Sequence, residues 1–254
     1  MKTSNILLIA TGVLLLSAIF INAFALKYKI DHGDYTIRND IYAADLGKKE
    51  MQRTDLAPGI SKVALKGPLS ELDILIKYDT VAHADITKGL PIVVKQEGET
   101  LSISYAKNIP DNLDSLWHLA NQRGNISIYL NSLKDVSNEG IAFTVTHGKG
   151  NNTSSETVYF GCKITLDGFR EDSLHIEMRK AGRIHFNDLA IKSIALDMDG
   201  QAVATIDSTS QLGQLSLTGR DWAKFELNKA AIKTLNTDLQ NEAEIKLKGT
   251  RVQQ

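Results

Sequence analysis

From Ser61 onward the chain alternates apolar and polar residues with a period of two. Val63 and Leu65 set the pattern, followed by Leu72, Ile74 and Ile76, then Leu101, Ile103 and Tyr105. Ile126, Ile128 and Leu130 continue it, as do Ile141, Phe143 and Val145. Successive side chains of an extended strand point to opposite faces, so this alternation predicts half-buried strands interrupted at Gly, Asn and Asp. Two stretches differ. Within Pro110 to Arg123, Leu113, Leu116, Trp117 and Ala120 recur at three and four, the spacing of one helical face. A short helix is expected there, closing the apolar end of the domain. Thr146 to Thr157 is polar and small throughout, which predicts a loop.

The C-terminal third repeats itself. Leu174-Ile176-Met178 aligns with Ile194-Leu196-Met198, Leu215-Leu217-Gly219 and Leu235-Thr237-Leu239, at spacings of 20, 21 and 20. A second column keeps the same step through Ile184-Phe186, Ala204-Ile206, Phe225-Leu227 and Ile245-Leu247, and Ile164-Leu166 extends it backwards. Ile191, Leu212 and Ile232 form a third. Ala181, Ala202, Ala223 and Ala243 fall between the first two columns. A repeat of this length, made of short strands without helical periodicity, predicts an all-β fold of the parallel β-helix (β-solenoid) type. Its coils of about 20 residues would stack ~4.8 Å apart. A sandwich of hairpins is the competing architecture, but hairpins rarely keep three columns in step. In the solenoid register Leu196 points inward between Ile176 and Leu217 while Asp197 faces solvent. Asp197→Asn is then expected to be nearly silent, within about 0.5 kcal/mol.

Ahead of the strands, Ile6 to Leu26 is uncharged and interrupted only by Thr11, Gly12, Ser17 and Asn22. As a helix it would cross the roughly 30 Å hydrocarbon core of a bilayer. Two export readings stand: an uncleaved anchor whose partner is the lipid bilayer, or a signal peptide cleaved after Ala25 in Ala23-Phe24-Ala25. The apolar run exceeds the ~7–15 residues of a signal core, which favours the anchor. The chain thus divides into residues 1–26 as anchor or signal helix, 27–59 as a juxtamembrane linker, and 60–254 as the β-helix domain.

A formal net charge of −1 over 254 residues excludes the basic footprint of a nucleic-acid binder. One cysteine, Cys162, excludes an intramolecular disulfide and a Cys-rich zinc site. In its strand-like context it reads as a buried, inert thiol. The six histidines show no zinc-binding spacing, and no cofactor is expected.

Ile60 to Tyr105 (GISKVALKGPLSELDILIKYDT, then LPIVVKQEGETLSISY) resembles the opening of the auto-transporter adhesin head (GIN) domain family. The repeated coils and the apolar N-terminal segment resemble it too. The resemblance spans roughly residues 60–249 and departs at Pro110 to Arg123 and Thr146 to Thr157. It implies an envelope protein of Bacteroidetes-type bacteria, membrane-anchored or secreted, without an assigned activity. No catalytic residue carries over.

Outward-facing columns hold the candidate chemistry. Glu177, Asp197, Thr218 and Asp238 form one stack, and Arg179, Asp199, Arg220 and Gln240 its neighbour. His185, Thr205, Glu226 and Lys246 form a third on the second strand. Glu177 and Asp197, with Arg179 and Arg220 beside them, imitate the carboxylate pairs of β-helix polysaccharide lyases and hydrolases. Alternating charges that pair across coils and keep the face soluble explain the same residues. The expectation is therefore a non-enzymatic, extracytoplasmic module for binding, adhesion or scaffolding, whose partner is an envelope protein or glycan. A carbohydrate-active enzyme on the same fold is the alternative.

Overall fold

The computed structural model describes residues 50–69, 72–106, 123–149 and 152–252. The apolar segment Ile6 to Leu26 and residues 110–122 of the expected helix lie outside the described residues. Among the described residues the fold is all-β, without a helix. Its strands are β1 (Met51–Asp55), β2 (Lys62–Lys66), β3 (Leu72–Tyr78), β4 (His83–Thr87), β5 (Ile92–Glu97), β6 (Thr100–Tyr105), β7 (Gly124–Leu130) and β8 (Asp135–Glu139). Next come β9 (Ile141–Lys149), β10 (Asn152–Phe160), β11 (Lys163–Asp167), β12 (Arg170–Arg179), β13 (Ala181–Asn187) and β14 (Ala190–Met198). The chain closes with β15 (Gln201–Ile206), β16 (Gln211–Gly219), β17 (Lys224–Asn228), β18 (Ala231–Leu239), β19 (Glu244–Lys248) and β20 (Arg251–Val252).

Two nine-stranded sheets enclose one core. The first runs β1-β4-β7-β3-β11-β13-β15-β17-β19 and the second β20-β18-β16-β14-β12-β8-β2-β6-β5. From β11 on, consecutive strands alternate between the sheets, and each pairs in parallel with the strand one repeat later. The columns of the sequence are the registers of these ladders. Ile176 pairs with Leu196, Leu196 with Leu217, and Leu217 with Thr237. In the first sheet Ile164, Ile184, Ala204, Phe225 and Ile245 pair in turn. Leu166, Phe186, Ile206, Leu215 and Phe225 are fully buried between the two sheets, where the apolar area removed from water stabilises the stack.

The small-residue column is offset by one position at its start. Gly182, rather than Ala181, pairs with Ala202. An ideal Cβ on Gly182 would lie 2.7 Å from Asn138 Nδ2, so this strand cedes its place to a buried amide. Asn138 Nδ2 donates to the Ala181 carbonyl at 2.7 Å, and the Cys162 thiol donates to Asn138 Oδ1 at 3.0 Å. The thiol is buried, and desolvation pushes its pKa far up, so it stays protonated and inert.

The N-terminal strands depart from sequential stacking. β8 lies between β12 and β2, while β3 lies between β7 and β11. The sheets are also mixed, because β4 pairs antiparallel with both β7 and β1, and β5 pairs antiparallel with β6. β1 falls inside the stretch read from sequence as linker; its five residues are all exposed, so no alternation marks it. The expected loop Thr146 to Thr157 is instead most of a hairpin, with β9 and β10 paired from Ile141↔Phe160 to Lys149↔Asn152. An antiparallel ladder satisfies its own backbone whatever the side chains, and β-branched threonines suit a pleated surface. The Thr144 and Thr157 hydroxyls meet across it at 3.1 Å. At its base Ile141, Phe143 and Val158 pack on buried Phe160.

Tyr105, at the end of β6, is 8% exposed, and burial pushes its phenol up to about 12. The ordinary value near 10 applies once the chain unfolds. The folded state therefore holds this proton more tightly. Its contribution to stability is complete below about pH 10 and is lost as pH rises through the folded value. Tyr105→Phe should flatten the fall in melting temperature across that alkaline window while leaving the slope at neutral pH unchanged. Parallel alkaline slopes for the two proteins would contradict this.

Candidate functional site

The outer face of the second sheet gathers the charged residues expected from sequence. Glu177 and Arg179 leave β12 two residues apart, and so share a face. Register places Asp197 of β14 directly beside Glu177. Arg179 is the hub. Its Nε donates to Glu177 Oε1 at 2.6 Å; Nη2 and Nη1 donate to the two oxygens of Asp197 at 2.7 and 3.1 Å; Nη1 also reaches Asp199 Oδ2 at 3.3 Å. The Lys180 amide donates to Asp199 Oδ1 at 2.6 Å. Arg220 follows β16 and acts on Asp197 through its charge alone. Glu177, Arg179 and Asp197 are thus brought into contact, with Arg220 at longer range. Asp199, which shares the Arg179 column, is the added member that sequence reasoning did not single out.

The electrostatics follow from this knot. Hydrogen bonds to Asp197 and Glu177 raise the already high pKa of Arg179. Arg179 in turn holds the Asp197 carboxyl below the usual carboxylate range, against a smaller opposing effect of burial. A general acid must keep its proton near neutral pH, so Asp197 is tuned away from that role. The Asp197 side chain is 29% exposed, and Asn at this position would lose half of a bidentate pair. Asp197→Asn is accordingly expected to cost about 1 kcal/mol, more than an uninvolved surface residue. Among the described residues, no three His, Cys, Asp or Glu side chains are grouped to hold a metal ion.

The outer face of the first sheet is concave instead. A trough of about 700 Å³ crosses β7, β3, β11, β13, β15 and β17. Its floor is the half-buried column Ser127, Leu75, Thr165, His185, Thr205 and Glu226. One wall is the column Asn125, Asp73, Lys163, Arg183, Val203 and Lys224. The short Ser127, Thr165 and Thr205 side chains lower the floor, whereas the wall includes the long cations Lys163, Arg183 and Lys224. His185 Nε2 lies 3.3 Å from Asp207 Oδ2, which orients the ring along the trough's other side. The floor column from His185 onward is legible in the repeat. The wall was missed, although its Lys163, Arg183 and Lys224 sit one register step from residues that align.

No family model matches the sequence, and no curated protein does. A solved structure shares the fold. A candidate adhesin from Parabacteroides distasonis superposes with a TM-score of 0.55 at 9% identity, covering 77% of this chain and 71% of that one. A candidate adhesin from Bacteroides fragilis covers 79% of this chain and 97% of its own, at 13% identity and a TM-score of 0.46. At these identities the likeness is one of fold: an all-β chain of large mixed sheets.

Proposed function

We propose that residues 60–254 form a β-solenoid of about 20-residue coils that works as a non-enzymatic binding, adhesion or scaffolding module of a bacterial cell envelope. The observation that carries the reading is the trough on the first sheet, a solvent-open concave surface lined by side chains from six stacked strands. In-register parallel pairing at steps of 20, 21 and 20 residues supports the solenoid. The Parabacteroides distasonis protein of like fold is itself named a candidate adhesin. This agrees with the resemblance of Ile60 to Tyr105 to the GIN domain family. The alternative, a polysaccharide lyase or hydrolase centred on Glu177 and Asp197, is disfavoured because Arg179 neutralises both carboxylates. Its four residues Glu177, Asp197, Arg179 and Arg220 act in this reading as a cross-coil clasp.

The module is displayed outside the cytoplasm by Ile6 to Leu26, retained as a single-pass anchor or removed after Ala25. One fractionation experiment tests the whole reading. The full chain should stay with membranes after a high-salt wash, because ~20 buried apolar residues are not released by charge screening. That membrane-bound material should retain envelope polysaccharide without releasing reducing ends. Turnover that disappears in a Glu177→Gln, Asp197→Asn double variant would overturn the non-enzymatic reading. A soluble product beginning at Leu26 would replace the anchor with a cleaved signal.

A further inference from the structure

We propose that Arg183 is the anion-binding centre of the trough on the first sheet, and that the ligand is an extended glycan carrying a single carboxylate among neutral sugars. This rests on the binding-module reading and names the chemistry of its ligand.

The wall holds three cations, and two are already engaged. Lys163 Nζ lies 3.8 Å from Asp73 Oδ1, and Lys224 Nζ lies 2.9 Å from Glu244 Oε1. Arg183 stands between them, exposed. Among the described residues no hydrogen bond or ion pair engages its guanidinium, whereas Arg179 on the opposite sheet is held by three carboxylates. Its neighbours in the column are Lys163 and Val203, so no wall carboxylate competes from an adjacent strand. A guanidinium presents a planar fork of donors that matches a carboxylate in bidentate fashion. One strand step of ~4.8 Å brings Lys163 close enough to add a second, weaker attraction.

The rest of the trough sets the spacing of charge on the ligand. Thr165 and Thr205 flank His185 on the floor, and Ser127 and Asn125 continue towards β7. These hydroxyls and amides suit sugar hydroxyls. Glu226, two strands beyond His185, would repel a second anion placed there, and Asp73 would do so two strands the other way. A chain whose carboxylates recur about every 10 Å, two strand steps, therefore meets repulsion at both ends, while one carrying a single carboxylate among neutral sugars meets none. The trough crosses six strands, roughly 24 Å at ~4.8 Å per step, which suits an extended oligosaccharide lying along the stack. Polar recognition of hydroxyls with one charge-assisted anchor is how shallow, open sites gain orientation.

The test uses the full chain in detergent micelles and calorimetric titration with three probes. They are a hexasaccharide of neutral sugars with one internal uronic acid, its carboxyl-reduced neutral form, and a polysulfated hexasaccharide. The mono-acidic probe should bind, and the neutral and polysulfated forms should bind roughly tenfold or more weakly. Arg183→Gln should weaken the mono-acidic probe by roughly 10- to 100-fold at unchanged melting temperature, and Arg183→Lys by less. Lys233→Gln, on the other sheet, should leave binding as it is. Equal, Arg183-independent affinity for the acid and neutral probes would overturn the carboxylate proposal while leaving a binding module in place. Preference for the polysulfated probe, or no binding of any probe, would overturn it as well. The module itself stands or falls on polysaccharide retention by the membrane fraction.

Discussion

Leu196→Asp should unfold the domain at temperatures where the wild-type chain is intact. Leu196 is 1% exposed and lies in register between Ile176 and Leu217, themselves fully buried. An aspartate there would have only apolar in-register neighbours, so it must either remain charged in an apolar medium or take up a proton. Either route costs several kcal/mol, comparable with the ~5–15 kcal/mol that holds a whole domain together. Leu217→Asp, one repeat later, should be as severe. The outward neighbours set the contrast. Asp197→Asn should cost about 1 kcal/mol, because Arg179 keeps Glu177 and Asp199. Thr218→Asp adds a carboxylate between Asp197 and Asp238, and should stay within about 1 kcal/mol on an exposed face. Thermal melts of the four variants check the register directly. Similar midpoints for inward and outward substitutions would mean that the side chains do not point as the ladders require.

Gly161→Ala should be a severely damaging single-methyl change. Gly161 joins β10 to β11, and an ideal Cβ on it would lie 2.4 Å from Ala181 C and from Gly182 N, and 2.5 Å from Ala181 O. Those atoms are backbone, so nothing can swing aside. Relief requires moving the start of β13, whose Ala181 and Gly182 are in register with Gln201 and Ala202. Such a shift would also strain the hydrogen bond from Asn138 to the Ala181 carbonyl. Overpacking of this kind costs about 1–3 kcal/mol, and more where the neighbour is held on its far side. Gly98 provides the control. Its φ is +59 and nothing lies within 4 Å of its ideal Cβ, so Gly98→Asn should cost only about 0.5 kcal/mol. A melting temperature for Gly161→Ala equal to that of Gly98→Asn would show that the two backbone segments are not in contact here.

The all-β class and the register of β11 to β19 were legible in the chain because each ladder reproduces a sequence period. Stacking one strand on its copy 20 or 21 residues later makes every column a local property of spacing, and burial of one face makes its apolar alternation obligatory. The charged face followed from the same columns, so Glu177, Asp197 and Arg179 were found together before any distance was known. Where no repeat operates, the pattern is silent. β1 is exposed throughout, and the threonine-rich hairpin of β9 and β10 is mostly polar, so neither carries the alternation by which a strand is recognised.

Order among the N-terminal strands was decided by tertiary packing alone. β2, β3 and β7 all show the same alternation, β8 has a single apolar residue in Val136, and periodicity contains nothing that puts β8 between β2 and β12 or turns β4 antiparallel. The trough was likewise invisible, because concavity depends on the height of one column relative to the next across six strands. From β11 on, the sequence by itself determined which residues face inward and which repeats pair, since both are dictated by the period of the backbone and the cost of exposing apolar surface. Only the folded structure decided which outward charges are spent on one another and which, like that of Arg183, remain free, since that depends on whether a carboxylate on a neighbouring strand comes within reach.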